Sequence, residues 1–213
     1  MMRLFRSPSQ VSTNIRLEGG RVSLRPPAER DWREYAELRA ASREFLEPWE
    51  PTWPSDALMR DAFQRRLRRY ASEWRDDIGY GFFLFRRENQ VLMGGVSVSN
   101  VRRGVAQSAT LGYWIGEAFA RRGYMTEGLG LVLDFCFDRL GLHRIEAACL
   151  PNNTASKRLL LRCGFKEEGF ARKYLKIRGQ WHDHVLYGLI AEDHTIHDAA
   201  HGDTGEVERR VGG

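Results

Sequence analysis

The residues best suited to chemistry lie in one run, Tyr113-Trp-Ile-Gly-Glu-Ala-Phe-Ala-Arg-Arg-Gly-Tyr-Met-Thr-Glu-Gly-Leu129, and the chemistry they suit is anion binding. A strand leads into a short glycine-bearing loop and directly into an amphipathic helix. Unpaired N–H groups of the loop and first helical turn then point where the helix dipole is positive, and a pyrophosphate fits there. Gly123 lets the backbone approach a ligand closely. Thr126 with Glu127 reads as a cap and first turn before the apolar run Leu129, Leu131, Val132, Leu133, Phe135 and Cys136. The same segment also reads as a helix start that merely packs on a sheet.

A second unit downstream favours the first reading. Arg144-Ile-Glu-Ala-Ala-Cys-Leu150 is a strand, and Pro151-Asn-Asn-Thr-Ala-Ser-Lys-Arg-Leu-Leu-Leu-Arg-Cys-Gly-Phe165 is a loop and helix ended by Gly164. Together the two units resemble the GNAT acetyltransferase superfamily. Its signature is a strand, a loop of pattern (Gln or Arg)-x-x-Gly-x-(Gly or Ala), a helix, a strand, then Asn-x-x-(Ser or Ala) leading to Gly-Phe. Within it the chain is most similar to the Rim-type ribosomal-protein alanine N-acetyltransferases, through Phe45-Leu-Glu-Pro-Trp-Glu-Pro51, Ser99-Asn-Val-Arg-Arg-Gly104, Leu111-Gly-Tyr-Trp-Ile-Gly116, Leu142-His-Arg-Ile145, Phe165-Lys-Glu-Glu-Gly169 and Gly179-Gln-Trp-His-Asp-His-Val185. The likeness spans roughly residues 20 to 190. Ala120 stands where the family expects Gln or Arg, and Met125 where it expects a small residue.

The resemblance implies the GNAT fold: α/β, a mixed twisted sheet of about seven strands with helices on both faces and a splay between the two central parallel strands. Acetyl-CoA would be the co-substrate, with no metal. Its pantetheine would pair with unpaired backbone near Trp114 and Ile115 as an added strand would. The loop Arg121, Arg122, Gly123, Tyr124, Met125 and Thr126 would hold the pyrophosphate through main-chain N–H groups. Several charge-assisted bonds, at roughly 1.5 to 3 kcal/mol apiece, outweigh the side chain missing at Ala120. Asn153 and Ser156 match family positions that face pantetheine and thiol, and Lys157, Arg158 or Arg162 would reach the outer phosphate.

Acyl transfer needs a neutral amine, a donor for the oxyanion and a proton for the departing thiolate. Many relatives place a Tyr four residues before the Gly-Phe glycine as proton donor; here that residue is Leu160, and Ser156 is the substitute. Glu146 is the candidate base, although it is offset by two residues from the position some relatives use, where Ala148 stands. A structural carboxylate is the competing reading. Positioning supplies roughly 7 to 11 kcal/mol, whereas a general base gives ~10²- to 10⁴-fold. An α-amine of pKa ~8 is over a hundred times richer in the neutral form than a lysine of pKa ~10.4, so weak base machinery favours N-termini. Trp49 and Trp53 of the Pro-rich loop, with Tyr174, His182, Asp183 and His184, are expected to shape the acceptor groove. The expected reaction acetylates the N-terminal alanine of a ribosomal protein. The rivals are a GNAT acting on a small amine (antibiotic, polyamine or amino acid) and a catalytically silent CoA-binding protein.

The elements that must position these residues alternate along the chain. Strands are expected at 21–25, 80–86, 91–100, 110–115, 144–150, 169–177 and 181–190, and helices at 31–43, 55–75, 125–140 and 154–163, with a Pro/Trp loop at 46–54. A chain of 213 residues suits one domain, taken as residues 1–190, and no apolar run spans a bilayer. Cys136, Cys149 and Cys163 lack paired or metal-ligand spacing and read as small buried residues in a reducing cytoplasm. Residues 1–25 carry five Arg and one acid, a composition like a transit peptide, but Arg21-Val-Ser-Leu-Arg25 already reads as a strand. The tail 191–213 is net −4 and reads as disordered, so the preceding 190 residues carry +9, the whole-chain +5 less the tail's −4. His194, His197 and His201 in that tail read as incidental rather than metal-binding. Arg60, Arg65, Arg66, Arg68 and Arg69 lie opposite the stripe Met59, Phe63, Leu67, Tyr70 and Trp74, the solvated face of an amphipathic helix rather than a nucleic-acid site. No direct nucleic-acid or membrane partner is expected, and the chain is taken as a monomer or homodimer.

Overall fold

The computed structural model describes residues 15–194. Residues 1–14 of the arginine-rich start, and the tail beyond 194 with His197 and His201, lie outside the described residues. One sheet of eight strands runs through the described chain in the order β1-β2-β3-β4-β5-β6-β8-β7. The strands are β1 (Leu17–Glu18), β2 (Val22–Arg25), β3 (Tyr80–Arg86), β4 (Leu92–Arg102), β5 (Ser108–Ile115), β6 (Arg144–Cys149), β7 (Lys166–Ile177) and β8 (Gln180–Ile190). The strand beyond the expected seven is β1, two residues long and antiparallel to β2. Every neighbouring pair is antiparallel except β5 and β6.

The helices are α1 (Trp32–Ala41), α2 (Arg43–Leu46), α3 (Arg60–Arg75), α4 (Tyr124–Asp134) and α5 (Thr154–Arg162). The period of two in β3 divides its side chains between the faces: Phe82 and Leu84 join the larger core with α4 residues Leu129, Val132 and Leu133, while Phe83 and Phe85 join a smaller one with Tyr35 of α1 and Phe63 of α3. Helices therefore cover both faces of the sheet.

Several boundaries differ from the sequence reading. Residues 55–58 form turns, with Ala57 N–H on the Pro54 carbonyl at 3.0 Å and Met59 N–H on the Asp56 carbonyl at 2.8 Å, so α3 begins at Arg60 rather than near Ser55. The expected helix to Leu140 is α-helical only through Asp134. It then widens into a π turn over Phe135–Arg139, where Leu140 N–H bonds the Phe135 carbonyl at 3.0 Å. Thr126 is not a cap: Gly123 occupies that position and Tyr124 starts the helix.

β5 is held on its outer side by β4 along its whole length, from Ser108 opposite Arg102 to Ile115 opposite Gly94. A Cβ at Gly94 would lie 2.3 Å from the Trp114 carbonyl oxygen. Gly94→Ala should therefore break this pairing and lower stability by several kcal/mol, on the order of the overpacking costs of buried cores or above. Chemical denaturation measures it, and a change within 0.5 kcal/mol, roughly the range of surface substitutions, would contradict the contact.

Candidate active site

On its inner side β5 pairs with β6 only at Ser108–Arg144, Ala109–Ile145 and Thr110–Glu146. Both strands continue, β5 to Ile115 and β6 to Cys149, without further pairing to each other. The expected splay is thus present. Beyond Thr110 the inward N–H and C=O groups of β5 face a gap that an extended amide-bearing chain matches. Trp114 and Ile115 lie at the open end of this stretch.

Past β5 a single 3-10 turn, Glu117–Phe119, leads into the loop. Arg121 and Gly123 both take positive φ, 61° and 80°. Glu127 N–H to Gly123 C=O, at 3.2 Å, is the first bond of α4, so the N–H groups of Tyr124, Met125 and Thr126 have no acceptor within the helix. Arg21 braces the loop from the β1–β2 turn. Its guanidinium donates to the Arg122 carbonyl at 3.2 Å and to Glu127 at 3.0 Å, and lies 5.2 Å from the centre of the Tyr124 ring. Glu127 also accepts the backbone N–H of Arg21 at 2.7 Å. The Glu127 carboxylate thus ties the first turn of α4 to the β1–β2 turn. The same brace occupies the Arg122 carbonyl, turning it away from the N–H groups at the start of α4. Met125 is buried beneath the helix, so only its backbone can meet a ligand. A pyrophosphate-bearing donor fits this cradle.

The second unit arrives on the other side of the gap. Asn153 caps α5 by accepting Ser156 N–H at 3.0 Å, which fixes Ser156 in the first turn. The Ser156 hydroxyl lies 2.7 Å from the Tyr113 hydroxyl, which reaches across from the unpaired part of β5. Burial pushes the Tyr113 phenol well above its ordinary range, with the Ser156 bond pulling the other way. The Cys149 thiol at the end of β6 is likewise pushed up by burial, with the nearby Ser156 hydroxyl pulling the other way. Leu160, at the position where many relatives carry a tyrosine, is fully buried in the core. Arg158 is exposed on α5, free to swing towards a phosphate. Tyr113 was in the sequence run first singled out but carried no role there; only its strand face and the parting of β5 from β6 give it one.

Glu146 occupies a different place. It sits at the last paired position of β6, with its carboxylate 2.8 Å from Arg102 and 3.1 Å from Arg144, whose guanidinium also pairs with Glu168. Its alternation puts it on the sheet face opposite Cys149 and Ser156. Both carboxylate oxygens are taken up by guanidinium groups, an arrangement that suits a structural carboxylate better than a base.

The Pro/Trp loop and the last hairpin, expected to shape the acceptor groove, meet, since Arg178 N–H donates to the Glu50 carbonyl at 3.1 Å. The buried Arg39 pairs bidentately with Glu50 at 2.8 and 2.5 Å and lies over Trp53 (4.2 Å) and Trp114 (4.8 Å). Trp53 donates its indole N–H to Glu50 at 2.7 Å. Trp53 is therefore a member of a clamp joining α1, the loop and β5, while Trp49 remains 37% exposed. Tyr174 is 47% exposed and edge-on to the His184 ring. Asp183 accepts Lys173 N–H at 2.8 Å and pins a bulge in β7, and His182 is partly buried. Sequence reasoning missed Arg39 and Arg21, because each acts on a segment remote in sequence.

Gly123→Val places a β-branched residue at φ 80° and a Cβ 3.2 Å from Arg21 Nη2, so affinity for a CoA thioester should fall at least about ten-fold, as read by calorimetry. Unchanged affinity would remove this loop from the binding site. Glu146→Gln should keep kcat within a few-fold of the parent, because Arg102 and Arg144 already engage both of its carboxylate oxygens; a loss near the ~10²-fold of a missing general base would restore it as one.

Residues 21–166 match the family model described as acetyltransferase (GNAT) domain. The chain is 35% identical over 177 residues to a Bacillus subtilis protein named probable N-acetyltransferase YjcK, covering 83% of this chain and 98% of that one. It is 35% identical over 181 residues to the ribosomal protein uS5-alanine N-acetyltransferase of Escherichia coli, covering 85% and 93%. Among solved structures, RimJ of Mycobacterium smegmatis in complex with CoA-disulfide superposes with a TM-score of 0.78 at 32% identity, covering 85% of this chain and 89% of that one. Strand order, parted strands, glycine loop and matched sequence agree, and the chain belongs to the GNAT family of N-acetyltransferases.

Proposed function

We propose that this protein transfers the acetyl group of acetyl-CoA to the N-terminal α-amine, that of alanine, on a ribosomal protein. The observation that carries the reading is the parting of β5 from β6 beside the glycine loop of α4. In this reading the pantetheine lies along Leu111–Ile115 and the pyrophosphate on the N–H groups of residues 121–126, with Arg158 at the outer phosphate. Asn153 orients Ser156, and Ser156 supplies the proton that the sulfur needs. Trp49, Tyr174 and Asp183 line the way in for the acceptor, whose backbone the clamped loop and hairpin would guide.

Support for an N-terminal acceptor comes from two directions. Glu146, the candidate base, has both carboxylate oxygens engaged by Arg102 and Arg144, which leaves the reaction dependent on an amine that is already neutral. At neutral pH an α-amine of pKa ~8 meets that need far better than a lysine of pKa ~10.4. The second support is the likeness to the uS5-alanine N-acetyltransferase across 85% of the chain.

The test mixes purified protein with acetyl-CoA and peptides beginning Ala, Ser or Met, beside a panel of small amines, and follows thiol release and product mass. Alanine-first peptides should be acetylated on the α-amine, at a rate that rises with pH towards ~8 as the amine loses its proton. Turnover of a small amine alone would replace the peptide acceptor with that amine. No thiol release with any amine, despite acetyl-CoA binding, would make the protein a silent CoA binder.

A further inference from the structure

The chain lacks the helix tyrosine that many relatives carry, and Leu160 fills that place with a core side chain. A tyrosine nevertheless reaches the same end of the gap from the opposite wall. Tyr113 is rooted in β5 three residues past the last β5–β6 pair, opposite Val96 on the β4 side. Its hydroxyl meets Ser156 at 2.7 Å. Ser156 is itself held by the Asn153 cap at 3.0 Å, so the contact joins two fixed elements rather than two loose side chains.

We propose that Tyr113 is a positioning residue that aims the Ser156 hydroxyl at the departing sulfur, the two hydroxyls together doing the work of the missing helix tyrosine. The inference rests on the acetyl-transfer reading above. A serine hydroxyl has one proton and two lone pairs. The phenol is the more acidic of the two groups, so Tyr113 donates and a Ser156 lone pair accepts. Ser156 then has its single proton free to turn to a third partner. In the acetyl-transfer reading that partner is the thioester sulfur of the donor, which takes the proton when it enters the gap.

Burial keeps the phenol neutral throughout the working pH range, so Tyr113 remains a donor and never a competing base. The amine nitrogen's lone pair forms a bond to the acetyl carbonyl carbon, and as the carbon–sulfur bond breaks its electron pair stays on sulfur. Ser156 passes its hydroxyl proton to that sulfur and takes up the proton released by the acylated amine. No net charge remains on the protein.

The test compares Tyr113→Phe, Ser156→Ala and the double variant in steady-state turnover, using whichever amine the parent acetylates best. Tyr113→Phe should lower kcat about ten-fold or more while KM for acetyl-CoA stays within two-fold, and the double variant should be no slower than Ser156→Ala, since Tyr113 acts only through Ser156. Losses that multiply in the double variant, or a Tyr113→Phe kcat within two-fold of the parent, would overturn the proposal. A second readout separates aiming from packing. With an acetyl thioester of a more acidic thiol, whose sulfur leaves without a proton, the Tyr113→Phe loss should shrink; an equal loss with both donors would mean that Tyr113 serves the fold alone. A parent inactive with every amine would overturn the acetyl-transfer reading and this inference with it, an outcome distinct from an active parent matched by Tyr113→Phe.

Discussion

β5 and β6 run parallel for three residue pairs and then separate, and separated strands leave main-chain donors and acceptors that need partners. A buried unpaired amide costs about 1 to 3 kcal/mol, so the parting persists only because the rest of the sheet enforces it. β4 holds β5 along its full length on the outer side, and β8 holds β6 from Arg144 to Cys149 on the other. Each strand is locked to an outer neighbour and twisted away from its inner one. The resulting opening accepts an extended chain with amides of its own, which is the chemical character of pantetheine.

The two walls of the opening are finished by different devices. On the α4 side, left-handed residues Arg121 and Gly123 and the Arg21–Glu127 brace expose N–H groups and turn a carbonyl away. On the α5 side, the Asn153 cap fixes Ser156 opposite Tyr113. Across the sheet, the Arg39–Glu50 pair between Trp53 and Trp114 fastens the Pro/Trp loop to the strand that carries the donor. Both charges sit largely out of solvent, where breaking one partner is strongly unfavourable. The Pro/Trp loop is therefore held in fixed relation to the parted strand β5. That relation matters because orientation is the largest contribution available to a site with little acid–base machinery.

Much of this was legible in the residues. The apolar run Tyr80–Arg86 is read as a strand with the bounds observed, and the helix expected at 154–163, stopped by Gly164, is found at Thr154–Arg162, within a residue. The glycine loop was placed correctly, although its cap is Gly123 and not Thr126, since the left-handed turn itself ends the loop. Glu146 looked suitable because it lies on the central strand, but Arg102, brought alongside by the β4–β5 hairpin, joins Arg144 in engaging its carboxylate. The two-residue β1 escaped notice because such a strand has no periodicity to read.

The sequence by itself determined the order of elements, the anion loop and the family pattern, because these depend on periodicity, capping and glycine placement within a few neighbouring residues. Only the tertiary structure decided that Tyr113 meets Ser156, 43 residues away, that Arg21 braces a loop a hundred residues downstream, and that Arg39 clamps the Pro/Trp loop. Such contacts depend on strand register and on which face each side chain takes, and those are fixed by long-range pairing that no local pattern encodes.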